Sequence, residues 1–239
     1  MTGLAPIAVA LDVPDLNTAA RWASLVTPHV TTVKIGLELY LRYGPEAVAS
    51  IRGASAVDVF LDLKLHDIPA TVAAAVSAVA RLRPALLTVH ATAGPAALRA
   101  AAQAAPPGTR IVGVTVVTSL SDADLAQIGM VGPVSDAVRR LAALSVAAGA
   151  RGLVCSPREV AAVRAEVGDD ILLITPGVRP AGAEAHDQAR VATPEEALMA
   201  GADLLVIGRP ITGASEPAEG TIQSGRLCRL LWRPAGHIE

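Results

Sequence analysis

The chain has 239 residues, 52% of them hydrophobic and 18% charged, a balance that supplies a sizeable core and excludes an intrinsically disordered protein. A net charge of −2 with no basic block, and an aromatic content of 2%, exclude a nucleic-acid surface built on phosphate contacts and stacked bases. Cys155 and Cys228 form neither a metal-ligand spacing nor a disulfide framework, no uninterrupted apolar run reaches the roughly 18 residues of a membrane span, and the opening MTGLAPIAVALDV lacks the charged start of a signal peptide, so a soluble cytoplasmic protein is expected.

Taken in chain order, runs rich in Val, Ile and Leu predict strands at 7–13, 32–39, 58–65, 86–91, 110–117, 152–156, 171–178 and 202–208. Between them, Ala-rich stretches with helical spacing, such as TAARWASLV, PATVAAAVSAVARL and VSDAVRRLAALSVAAGA, predict crossover helices. Near-continuous apolar strands alternating with helices imply a parallel sheet covered on its outer face. Eight such units in a chain of this length predict a single (β/α)8 TIM barrel rather than an open doubly wound sheet, and the first turn, LDVPDLN, has no GxGxxG fingerprint. One domain spanning 1–239 is expected, with its core at about 7–213. The tail from about Gly225, GRLCRLLWRPAGHIE, fits either a last helix or a frayed end.

A barrel of this kind works at the carboxyl ends of its strands. Polar residues recur there: Asp12 ends strand one, Lys34 lies in strand two, and Asp62 and Lys64 lie in strand three. His90 ends strand four, Thr118 and Ser119 end strand five, Arg179 follows strand seven and Arg209 follows strand eight. Alternation puts Phe60, Asp62 and Lys64 on one face of FLDLKL and the leucines on the other, which packs on the helices. Asp62 and Lys64 then point into the barrel mouth, within reach of each other and of Lys34. The plain alternative is a structural ion pair. Against it stands the choice of cation: the chain has two lysines and eighteen arginines, and both lysines fall inside apolar strands. A guanidinium cannot give up its proton near neutral pH, whereas a buried ammonium can, so a proton-donating site cannot exchange Lys for Arg.

A second constellation reads as phosphate binding. ADLLVIGRPITG places Gly208, Arg209 and Pro210 at a helix start after strand eight, and the preceding unit supplies TPGVRPAGAEAHDQAR, with Arg179 and Gln188. The glycine admits an approaching oxygen to the backbone N–H and the arginine adds a fork of donors. His66, sent by alternation to the face opposite Lys64, reads as structural, and Cys155 as a small buried hydrophobe. His29, His186 and His237 have no ligand-like partners, so no metal site is expected.

These residues resemble a known family. LDLKLHDIPATV looks like the Asp-x-Lys-x-x-Asp-Ile-Pro-x-Thr signature of orotidine 5'-phosphate decarboxylases of the common bacterial type, and ALDVPD, VKIGLEL, TVVTSL, TPGVRP, AHDQAR and VIGRPIT extend the likeness in order from about residue 7 to 213. The resemblance implies a barrel homodimer that converts orotidine 5'-phosphate to UMP and carbon dioxide, the last step of de novo pyrimidine synthesis, with no metal or organic cofactor. It implies a catalytic array of Lys34, Asp62, Lys64 and Asp67, with Lys64 as proton donor and Asp67 completing the partner subunit's site. It further implies that Asp12 and Lys34 hold the ribose hydroxyls, Thr118 and Ser119 approach the pyrimidine, and Ile68, Pro69 and Thr71 shape the pocket. Arg179, Gln188, Gly208 and Arg209 would take the phosphate. Leu65 and Ala70 stand where bacterial relatives often carry Phe and Asn, and the tail after about Thr221 matches poorly. Related barrels that use magnesium on a sugar phosphate share Asp-x-Lys-x-x-Asp but carry Glu in place of Lys34, and a non-catalytic nucleotide-binding barrel has no need of Lys64.

Overall fold

The computed structural model describes residues 4–179, 192–214 and 217–231. Its first half runs β1 (Ala5–Ala10), α1 (Leu16–Val26), β2 (Val30–Ile35), α2 (Leu37–Tyr43), α3 (Pro45–Ala54), β3 (Asp58–Leu65), α4 (Pro69–Ala80), β4 (Leu86–His90) and α5 (Pro95–Ala104). The second half runs β5 (Arg110–Val114), α6 (Asp122–Gln127), α7 (Val134–Ala147), β6 (Gly152–Val154), α8 (Val160–Val167), β7 (Leu172–Thr175), α9 (Pro194–Met199), β8 (Leu204–Ile207), α10 (Arg209–Thr212) and α11 (Pro217–Leu231). The strands pair in sequence order, all parallel, and β8 returns to β1, closing the expected barrel.

Two apolar layers hold it. Side chains of one parity, including Val9, Val33, Leu61, Leu87, Leu153 and Leu205, pack under the helices. The other parity fills the barrel with Ala8, Ala10, Phe60, Leu86, Val112, Ile174, Leu204 and Val206. The chain's single phenylalanine thus shares the interior with small alanines, a mix of large and small side chains that fills a narrow barrel. Proline opens α3, α4, α5, α9 and α11, where a missing N–H costs nothing and the fixed φ favours a helical start.

Most strands end earlier than their apolar runs. β1 stops at Ala10 and β5 at Val114, so Asp12, Thr118 and Ser119 lie on loops beyond the strands instead of ending them. The boundaries of β3 are those expected, yet its ladder with β4 is broken: Leu61 faces Leu87 and Leu65 faces Val89, four residues of advance on one strand against two on the other. Lys64 absorbs the excess with a φ of +49°, rare for a residue with a Cβ. His66 lies past the strand end and is exposed, so alternation does not govern it, and its ring lies 5.4 Å from that of His90. Helix α11 takes in the start of the tail and packs against β1, α1, α9 and α10, and residues 232–239 lie outside the described ones.

Candidate active site

Eight of the residues singled out in the sequence line one cavity of about 470 Å³ at the carboxyl end of the barrel: Asp12, Lys34, Asp62, Lys64, Thr118, Arg179, Gly208 and Arg209. The barrel filling supplies its floor through Ala10, Phe60 and Val206. Register explains how distant residues meet, because Lys34 pairs with Ala10 on one side and Phe60 on the other, which sets its side chain beside the ends of β1 and β3.

The Asp62 carboxylate is the centre of the charge cluster. Its Oδ2 lies 2.7 Å from Lys64 Nζ and 3.6 Å from Lys34 Nζ, and Lys34 Nζ also lies 3.1 Å from Asp12 Oδ1. Lys34 and Asp62 are buried, whereas the side chain of Lys64 is 34% exposed and so is open to a ligand. Burial pushes the Asp62 carboxyl up, but the two ammonium groups and hydrogen bonds from Lys64 and Thr88 outweigh it and hold the group below the usual carboxylate value. The array therefore keeps Asp62 ionised next to a cation that carries transferable protons.

Thr88, not anticipated from the sequence, ties the array together. It is fully buried, its hydroxyl donates to Asp62 Oδ1 at 3.0 Å, and it accepts the backbone N–H of Lys64 at 2.8 Å. The signal was available in LLTVHA, where Thr88 shares the parity of inward-facing Leu86. Gly36 was also missed. A Cβ there would stand 2.7 Å from Asp12 Oδ1 and 3.1 Å from Lys34 Nζ, so a side chain at Gly36 competes with the Asp12–Lys34 pair for space.

Across the cavity, Arg179 is buried and its guanidinium donates to the Val178 carbonyl at 3.0 Å, while the chain around it is tied back by Arg179 N–H to the Ala192 carbonyl. Gly208 caps α10 at its start, and a Cβ on it would meet Ala10 at an ordinary 3.5 Å. Gln188 lies outside the described residues. Asp67, Ile68, Pro69, Thr71 and Ser119 do not line this cavity; all five are exposed, Ile68 to 66%. Asp67 turns its Oδ1 to the neighbouring Ile68 N–H at 2.7 Å. Among the described residues no group of three His, Cys, Asp or Glu side chains is placed to hold a metal ion, and no helix is long and apolar enough to cross a membrane.

A family profile described as "Orotidine 5'-phosphate decarboxylase / HUMPS family" matches residues 5–221. The chain belongs to the orotidine 5'-phosphate decarboxylase family. An orotidine 5'-phosphate decarboxylase of Thermobifida fusca is 68% identical over 89% of this chain and 91% of its own. One from Frankia casuarinae is 54% identical over 96% and 92% of the two chains. Among solved structures, the orotidine 5'-phosphate decarboxylase of Lactobacillus acidophilus superposes with a TM-score of 0.80 at 33% identity, covering 96% of this chain and 99% of the other.

Proposed function

We propose that the chain decarboxylates orotidine 5'-phosphate to UMP and carbon dioxide without metal or organic cofactor, with Lys64 as the proton donor. The observation that carries this reading is Lys64 Nζ held 2.7 Å from buried Asp62 at the open edge of the cavity. As the bond between the ring carbon and the carboxylate breaks, its electron pair stays on that carbon, in an orbital that cannot spread into the ring. The adjacent ammonium stabilises that charge and then delivers a proton to the carbon, and the resulting amine is reprotonated from water. One cation cannot supply the whole acceleration, so energy from binding the remote phosphate must also be drawn upon.

In this reading Arg179, Gly208 and Arg209, with Gln188, receive the phosphate. Gly208 suits that role, because the 3.5 Å clearance to Ala10 gives packing no strong reason to require glycine, whereas an oxygen approaching its N–H does. Asp12 and Lys34 hold the ribose hydroxyls, and Thr118 and Ser119 face the pyrimidine. The Lys34 ammonium, 3.1 Å and 3.6 Å from two carboxylates, occupies ground that a divalent cation would need and repels one. This favours the decarboxylase over the magnesium-using sugar-phosphate enzymes of the same barrel type.

Exposure of the whole segment from His66 to Thr71 favours a homodimer with shared sites, in which Asp67 completes the array of the partner while Ile68, Pro69 and Thr71 shape the pocket across the interface. The first test is loss of orotidine 5'-phosphate absorbance in excess EDTA. Rapid loss with UMP formed supports the reading. Turnover that requires magnesium and a sugar phosphate overturns it.

A further inference from the structure

We propose that Thr88 is a positioning residue for the decarboxylation, holding Asp62 and the Lys64 backbone so that the Lys64 ammonium is aimed into the cavity. The inference rests on Lys64 being the proton donor and goes beyond it by naming what orients that lysine. The broken ladder is its starting point. Between Leu61–Leu87 and Leu65–Val89 the two strands fall out of step, and Lys64 adopts its positive φ in that interval. An L-residue is held in such a conformation only where its surroundings over-determine it. Here the Lys64 N–H is taken by the Thr88 hydroxyl at 2.8 Å, a side chain standing in for a ladder carbonyl.

The same hydroxyl has one proton, and it goes to Asp62 Oδ1 at 3.0 Å. With Oδ1 engaged, Oδ2 faces both ammonium groups, 2.7 Å from Lys64 Nζ and 3.6 Å from Lys34 Nζ. One buried oxygen therefore fixes the backbone that carries the proton donor and the rotation of the carboxylate that aims it. Small displacements of a donor cost rate far more than they cost binding, because remote groups still hold the substrate.

Thr88→Val removes the hydroxyl at nearly constant volume, Thr88→Ser keeps it, and Thr88→Cys replaces it with a weak donor close to Ser in size. For each, kcat and KM for orotidine 5'-phosphate, affinity for UMP and thermal unfolding are measured beside Lys64→Ala. The expected result is a kcat about 10- to 100-fold lower in Thr88→Val, with KM and UMP affinity changed less than about threefold, and recovery of kcat in Thr88→Ser. If Thr88→Val does not fold, Thr88→Cys carries the same comparison. Wild-type kcat in Thr88→Val or Thr88→Cys, beside an inactive Lys64→Ala, overturns the role of Thr88 alone. Equal losses in kcat and UMP affinity, unrelieved in Thr88→Ser, also overturn it. Full turnover in Lys64→Ala would instead remove the donor assignment on which the inference stands.

Discussion

The barrel carries an ion-paired carboxylate near each end, Asp62 buried and Asp203 part-buried, and the two are used differently. At the carboxyl end Asp62 is shared by two lysines and a threonine beside an open cavity. Toward the amino end Asp203, just ahead of β8, accepts from the Leu173 N–H at 2.7 Å and from Arg164 at 2.5 Å. Arg164 spends its remaining donors on the carbonyls of Gly168, Ile171 and Gly201, so its planar fork ties α8 to the loops that enter β7 and β8. Burial pushes the Asp203 carboxyl up in spite of these bonds, whereas at Asp62 two converging ammonium groups reverse the same effect. A guanidinium with several protein acceptors holds structure. An ammonium with one carboxylate partner and a solvent-facing side retains protons to give.

The largest effects separate these ends. Lys64→Ala is expected to lower turnover at least about 10³-fold while leaving a folded protein that binds UMP. Substantial residual turnover would remove Lys64 as the donor. Mixed with Asp67→Ala, it should regain activity up to about a quarter of the wild-type sites, since a hybrid dimer with shared sites has one site free of both defects. Hybrids that form but stay inactive would count against Asp67 acting across an interface.

Arg164→Ala should do the reverse, lowering stability by about 2–3 kcal/mol because it leaves a part-buried carboxylate and several carbonyls without their arginine donor. Its kcat, measured well below the lowered melting temperature, should stay within about twofold of wild type. A large fall in kcat without loss of stability would erase the distinction between the two ends.

The contrast was partly legible in the chain. Placing both lysines inside apolar strands where eighteen arginines were otherwise used marked one end as chemical, and the period-two pattern of FLDLKL put Asp62 inward. What the pattern could not contain was the break at Lys64, because a positive φ on a lysine depends on a threonine 24 residues away. Arg164 and Asp203 carry no comparable signal: Asp203 falls within the apolar run 202–208, Arg164 lies between predicted strands, and only closure of the barrel brings them together. Strands end short of their apolar runs at β1, β2, β5 and β7 because apolar residues continue past the last ladder bond, into the walls of the cavity as Val116 and Val117 do, or into the next helix as Leu37 and Leu39 do.

A smaller effect is expected inside the cavity cluster. In Gly36→Ala the new methyl group meets Asp12 Oδ1 at 2.7 Å, and the Asp12 side chain, 57% exposed, can swing away at little cost. The backbone φ of −91° at Gly36 accepts alanine. Stability should therefore change by less than about 1 kcal/mol while KM rises roughly tenfold, as Lys34 loses the nearer of its two carboxylates and the ribose contacts loosen. A fall in kcat at constant KM would mean that the Asp12–Lys34 pair serves the chemical step and not substrate binding.

The smallest effect probes the border of the array, where His90 ends β4. Burial, then the neighbouring His66 and Lys64, push the His90 imidazole below its ordinary value, and Asp62 pulls it back only in part. The sign follows from proton uptake: as pH falls through about 6.5 the unfolded chain binds a proton that folded His90 still refuses. Stability contributed by the neutral ring is thus present above that pH and lost below it, until the folded ring protonates as well. Urea unfolding at about pH 7.5 and 5.5 should show a smaller drop in His90→Gln than in wild type, the difference cancelling the contributions of the other histidines. Equal drops would mean that His90 titrates freely. The β4 border would then be open to water, and the buried side of the array would reach no further than Thr88.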